Sequence, residues 1–290
     1  MYIHIEKKKA FLLFILGYLL LPASFLSAQN ASEKGLPFIV NYAPKTFNGP
    51  PQVWSVQEDD RGVMYFGQAS LLEYDGNKWT TIRLNSNASG SGSVRAMAKD
   101  KNGTIYLGTP GDLGYLAKDS LGQAKFRSLI HLVPKEHQNF FDIWSIYATD
   151  NSVYFQSREY IFKIHDPKSG EPGKAGIRVW KPQSKFLYAF YIDGEYFVHQ
   201  QGLGLYKMTN DSLVLIPGSE YLGKERMQVM LPYTPGPGGE KQYLLGQFNN
   251  GLSIYNGKTF RPFVTKAHGI LKSGGLLYKG TRLENGDYVL

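Results

Sequence analysis

A near-copy of one short run limits what this chain can fold into more than any other feature. Arg61–Gln68 reads RGVMYFGQ and Asn102–Thr109 reads NGTIYLGT, and looser copies follow as NSVYFQS from Asn151, DGEYFVHQ from Asp193, KQYLLGQ from Lys241 and NGDYVL from Asn285. The shared tyrosines are Tyr65, Tyr106, Tyr154, Tyr196, Tyr243 and Tyr288, so the intervals are 41, 48, 42, 47 and 45 residues. That is the size of a four-stranded propeller blade. A β-sandwich has no reason to repeat one tyrosine hairpin at this period, and no segment after residue 29 keeps a helical period for three turns.

Each unit shares an internal order. A strand-like segment precedes the common run (QVWSVQE, SVRAMAK, DIWSIYA, KFLYAFYI, RMQVMLPY, GLLYKGTRL), and a third and mostly a fourth follow it, separated by Gly, Asn and Asp turns. The sequence therefore predicts an all-β fold, a β-propeller of four-stranded blades near 52–84, 93–130, 141–181, 186–217 and 226–264, with the start of a sixth at 275–290. The ring is incomplete in this chain. It stops at Leu290, within the strand that follows Asn285-Gly286, and the expectation is an N-terminal piece of a longer protein. In the second unit, Asn102-Gly103 reads as a type I′ hairpin turn. The same letters, Asp100, Asn102 and Gly103, could open a calcium loop, but the glutamate such a loop needs at its twelfth position is missing and Arg61 replaces a ligand in the first unit, so no metal is expected.

Residues 1–28 stand apart. Lys7, Lys8 and Lys9 precede an apolar run from Ala10 to Leu21, then Pro22 and a small-residue stretch ending at Ala28, which reads as a secretory signal peptide. Cleavage is favoured over an uncleaved anchor because the run is short of the ~20 residues that span a membrane. The remaining 29–290 are expected to form the partial propeller. Three Lys and one Glu of the leader account for +2 of the formal charge of +8. The remaining positive charge is scattered, so nucleic acid is not expected as a partner. The absence of cysteine excludes disulfides, thiol nucleophiles and Cys-ligated metals.

The stretch Gly35–Trp79, with LPFIVNYAPK, RGVMYFG and LEYDG, repeated more loosely as DKNGTIYLGT, resembles the opening of the two-component regulator propeller family. These are periplasmic sensor regions of Bacteroidetes-type histidine kinases and of transcriptional regulators with a triple-tyrosine domain. The resemblance implies a ligand-sensing module of a membrane signalling protein, exported to the periplasm. It also implies a C-terminal membrane span and an output module missing here, a dimer at full length, and a small ligand, a saccharide in the carbohydrate-responsive branch. The competing readings are a periplasmic propeller enzyme, lyase or hydrolase, and a protein-interaction scaffold.

Propeller ligands meet the loops of one face. Those after the second strands supply Gln68, Asp112, Gln156, Arg158, Gln200, Gln247 and Asn249, and the same face receives the entrances of the innermost strands near Trp54, Arg95, Trp144 and Tyr188. Aromatic surfaces ringed with polar groups suit sugars. The ligand-binding candidates are thus Arg95, Asp112, Arg158, Trp144, Gln68 and His199. Arg95 and Arg158 break the repeat pattern, whereas Trp54 and Trp144 occupy matching positions that packing alone would also fill. His199 lacks a second ligand at zinc spacing and reads as a hydrogen-bonded wall residue. No cofactor and no catalytic residue are expected.

Overall fold

In the computed structural model, residues 39–84, 92–167, 176–272 and 277–290 are described. The chain divides into two units, Met1–Asn41 and Tyr42–Leu290. The expected signal peptide lies outside the described residues. No helix among them is long and apolar enough to cross a membrane.

The second unit holds five four-stranded antiparallel sheets and a two-stranded one, each an up-and-down meander. The first blade is β1 (Ser55–Glu58), β2 (Met64–Gly67), β3 (Leu71–Tyr74) and β4 (Trp79–Ile82); the second is β5 (Met97–Lys99), β6 (Ile105–Thr109), β7 (Asp112–Lys118) and β8 (Ala124–Ser128). The third is β9 (Ser145–Ala148), β10 (Ser152–Gln156), β11 (Ile161–His165) and β12 (Gly176–Trp180); the fourth is β13 (Phe186–Ile192), β14 (Glu195–Gln200), β15 (Gly204–Thr209) and β16 (Ser212–Leu215). The fifth is β17 (Met227–Tyr233), β18 (Gln242–Gln247), β19 (Gly251–Tyr255) and β20 (Phe260–Pro262), and β21 (Thr281–Arg282) pairs with β22 (Tyr288–Val289). First strands of successive sheets touch, β1 on β5, β5 on β9, β9 on β13, β13 on β17 and β17 on β21. The first strand of each blade is therefore the innermost, and the entrances of these strands converge.

Burial peaks at the second strands. Every residue of β6 and β10 is buried, whereas the innermost β5 is only half-buried, because a second strand is covered on both faces by neighbouring blades, which is why IYLGT and SVYFQ do not alternate apolar with polar residues. Fourth strands alternate with solvent, as in β8 and β16. The core is a series of inter-blade layers. Tyr65, Leu71 and Ile82 pack with Ile105 and Leu107 between the first two blades. Tyr106 and Leu113 pack with Ile143, Phe155 and Phe162 between the next two, and Tyr154 with Phe186 and Tyr196 after those. The repeated tyrosine marks these layers.

The hairpin at Asp100 is not the type I′ turn the dipeptide suggests. Gly103 has φ +78°, but Asn102 is not in the left-handed region. The Asp100 N–H donates to Thr104 O at 2.9 Å and Gly103 N–H to Asp100 O at 3.0 Å, while the Asp100 carboxylate accepts from the Asn102 and Thr104 N–H groups at 2.9 and 2.8 Å. Local capture of the backbone by an aspartate thus selects a three-residue turn with one left-handed glycine. The same arrangement recurs at Asp59 with Gly62 and at Asp119 with Gly122. Positive φ at both residues of a two-residue turn occurs instead at Asp193-Gly194 and Asn210-Asp211. Gly103→Val should cost about 2 kcal/mol, the strain of a β-branched residue held left-handed. A Cβ there would also strike the Asp60 carboxylate. Chemical denaturation measures the loss, and an unchanged midpoint would contradict this turn geometry.

At Gly108 the constraint is space. A Cβ would overlap the Ile143 side chain of the next blade, and Ile143 sits between Asp142 and Trp144 at the convergent face. Gly108→Ala should destabilise by about 2 kcal/mol through overpacking, read as a lowered melting temperature; a melt matching the parent would show that Ile143 yields freely.

Candidate functional site

Just before β1, β5 and β9 the chain places Trp54, Arg95 and Trp144. The repeat is visible in the backbone, since Trp54 N–H donates to Gly67 O and Trp144 N–H to Gln156 O, both at 2.8 Å. These side chains form a row across the convergent face. The Arg95 guanidinium carbon lies 4.4 Å from the centre of the Trp54 ring and 4.9 Å from that of Trp144. The Arg158 guanidinium lies 4.4 Å from Trp144 and 5.1 Å from Tyr188. Neighbouring rings meet edge to face, Trp54 with Trp144 and Trp144 with Tyr188, each at 6.4 Å. Gln228 of β17 ends the row by donating to the Tyr188 hydroxyl at 2.5 Å. Aromatic and cation alternate, and each stacked cation contributes about 0.5–2 kcal/mol depending on its desolvation.

The two arginines are held differently. Arg95 Nε is 2.5 Å from Asp142 Oδ2, and the Asp142 side chain is 7% exposed against 22% for Arg95. Arg158 comes from the loop after β10 and donates through Nη1 to Phe186 O at 3.1 Å and to Leu187 O. Burial lowers its pKa, the Tyr188 hydroxyl raises it, and the like charge of Arg226 lowers it again.

Of the six expected residues, Arg95, Trp144 and Arg158 come together in this row. His199 is fully buried and its Nε2 donates to Leu222 O at 2.8 Å; a carbonyl can only accept, so this nitrogen carries the proton. Burial takes its pKa down to about 4, the Leu222 bond opposes that, and the charge on Arg158 adds to the depression. Among the described residues no hydrogen bond or ion pair joins Gln68 or Asp112 to the side chains of the row. Gln68 is buried behind the first blade, its carbonyl accepting from Val94 N–H at 2.8 Å. Asp112 is buried and accepts from Leu113 N–H at 2.7 Å and Ser128 Oγ at 2.6 Å, tying β7 to β8; burial raises its pKa in spite of those bonds. Asp142 and Gln228 are members that were not among the six. A listing of the residue at each first-strand entrance, extended to the fifth blade, would have reached Gln228.

A separate cleft lies at the opposite end of the second and third blades, lined among others by Asp100, Asn102, Tyr106, Asp150 and His165. The turn there already uses the Asp100 carboxylate. Among the described residues no group of three or more His, Asp or Glu side chains is placed to hold a metal ion.

Arg95 lies inside the one stretch of sequence with a family match. Residues 89–111 match the two component regulator propeller family. The matched stretch spans the entrance to β5, the Asp100 turn and β6. No curated protein matches the sequence significantly. In structure, the chain resembles virginiamycin B lyase from Staphylococcus aureus at 12% identity, covering 77% of this chain and 72% of that one with a TM-score of 0.52. It also resembles a streptogramin B lyase at 13% identity, covering 80% and 74%, with a TM-score of 0.52. An extracellular domain from B. thetaiotaomicron, assigned to a hybrid two component system, aligns at 12% identity and a TM-score of 0.47; the alignment covers 81% of this chain and 36% of that domain. At such identities the likeness to the lyases carries the β-propeller fold and nothing finer.

Proposed function

We propose that this chain is the extracytoplasmic ligand-sensing propeller of a membrane signalling protein, of two-component or transcription-regulating type, whose span and output module belong to the full-length, dimeric protein. The observation that carries the reading is the row from Trp54 to Gln228. It takes side chains from each of the five four-stranded blades, and one of them, Arg95, lies within the regulator-propeller match. The leader at residues 1–28 supports export. A saccharide laid across the row would contact several blades at once, and its effect on signalling is bounded by its differential affinity for the two signalling states.

The enzymatic alternative has less support. A general base must come within hydrogen-bond reach of its substrate, and His199, whose charge neighbour is Arg158 of the row, is fully buried and donates from Nε2 to Leu222 O. A thermal-shift screen of the purified chain against neutral and acidic oligosaccharides tests the proposal. A ligand at a hundredfold excess over its Kd stabilises by about 2.7 kcal/mol. No shift across the panel would reject saccharide sensing, and turnover of a streptogramin-type substrate would favour the enzyme.

A further inference from the structure

The two arginines of the row are not equivalent, and the difference bears on the ligand. Arg95 is neutralised by Asp142. Arg158 forms no ion pair among the described residues; it donates through Nη1 to two backbone carbonyls, lies against two aromatic rings and interacts with the Tyr188 hydroxyl. Glu159, next in the chain, accepts from the Phe141 N–H at 3.4 Å and acts on Arg158 only through its charge, with no ion pair between them. Arg226 adds a second positive charge nearby, itself set over Phe248 at 5.8 Å. The Arg158 guanidinium lies against two rings set at 79° to each other, and the planar partner that matches its N–H fork is a carboxylate.

Acceptors accompany this cation. Asp142 Oδ1 and Gln228 Oε1, at two places along the row, are buried and have no hydrogen-bond donor among the described residues. Buried acceptors are costly to leave unpaired, and hydroxyl groups are donors of suitable size. A ligand that offers both an anionic fork and hydroxyls satisfies the row better than a neutral sugar or a bare anion does.

We infer that the convergent face selects an acidic saccharide, one carrying a carboxylate on a hydroxyl-rich ring, with Arg158 as the residue that reads the charge. This rests on the sensing function proposed above. Isothermal titration of the purified chain with galacturonate and glucuronate tetrasaccharides, each as free acid and as its methyl ester, isolates the carboxylate without changing the sugar backbone. The acids should bind about tenfold or more tightly than the esters, as expected for losing a hydrogen bond to a charged group. The preference should weaken with salt, vanish in Arg158→Gln and survive in part in Arg158→Lys. Equal binding of acid and ester, or a preference that Arg158→Gln leaves intact in a protein with a parental melt, would overturn the inference while saccharide sensing stands. Binding of a sulfated tetrasaccharide in place of the uronates would likewise overturn it. If neither acids, esters nor neutral oligosaccharides bind, the sensing reading fails with it. The ester comparison needs no variant, so it decides the matter even if substitutions at Arg158 impair folding.

Discussion

Asp142→Ala should destabilise the chain by about 3 kcal/mol, because it removes the counter-charge of a cation that stays buried between two indole rings. Deleting one member of a buried pair commonly costs 3–5 kcal/mol, and the lower end applies since Arg95 keeps 22% of its side chain exposed. The loss reports an abandoned charge more than the worth of the pair. The double variant Arg95→Met with Asp142→Leu should therefore recover most of the stability, as an apolar pair of similar volume carries no desolvation penalty. Met would still fill the gap between Trp54 and Trp144. Urea unfolding of the parent, both single variants and the double variant closes the cycle. A double variant as unstable as Asp142→Ala alone would mean that the rings, and not the charge, depend on Asp142.

The architecture was legible in the sequence because propeller blades bury the same strand on both faces at every repeat. A tyrosine followed by a large apolar residue cannot be exchanged there without disturbing the next blade, so Tyr65, Tyr106 and Tyr154 keep time even where the rest of the unit drifts. Arg95 was legible for the opposite reason: a cation where Trp54 and Trp144 stand in the neighbouring blades has no packing explanation; Arg158 breaks the pattern by its charge, standing where the loops of other blades carry uncharged or acidic polar residues. Trp144 was ambiguous, since its matching position in the repeat fits a core residue. In the structure its ring meets both guanidinium groups, at 4.9 and 4.4 Å. Other features depend on contacts that spacing does not encode. Asp112 looks like a loop carboxylate in sequence, but the hydroxyl that captures it, Ser128, lies across β7 and β8. The turn at Gly103 is decided by the Asp100 carboxylate three residues earlier, and the Asn-Gly pair read by itself points to the wrong turn type.

Stability should fall by about 3 kcal/mol as pH drops from 6.5 to 4, and His199 should account for the loss. In the unfolded chain an imidazole has its ordinary pKa of about 6.5, whereas burial holds His199 at about 4 in the fold. Between these values the unfolded state binds a proton that the folded state refuses. Stability therefore rises with pH through the window; the contribution is complete above about 6.5 and fully lost below about 4. A difference near 2.5 pKa units corresponds to about 3 kcal/mol. Asp112 works against this trend, because burial raises its carboxyl pKa and so favours the fold at low pH. Comparison with His199→Gln separates the two. Glutamine can still donate to Leu222 O but does not titrate, so this variant should lose none of the His199 contribution from pH 6.5 to 4, keep the opposing contribution of Asp112, and match or exceed the parent at the acid end. The Arg158→Gln variant carries the coupling one step further. Removing the positive charge that lowers the His199 pKa should move the parent's acid transition towards lower stability loss, linking the buried histidine to the same cation that faces the ligand. A parent that loses no more stability than His199→Gln over this window would show that His199 takes up its proton with the fold intact.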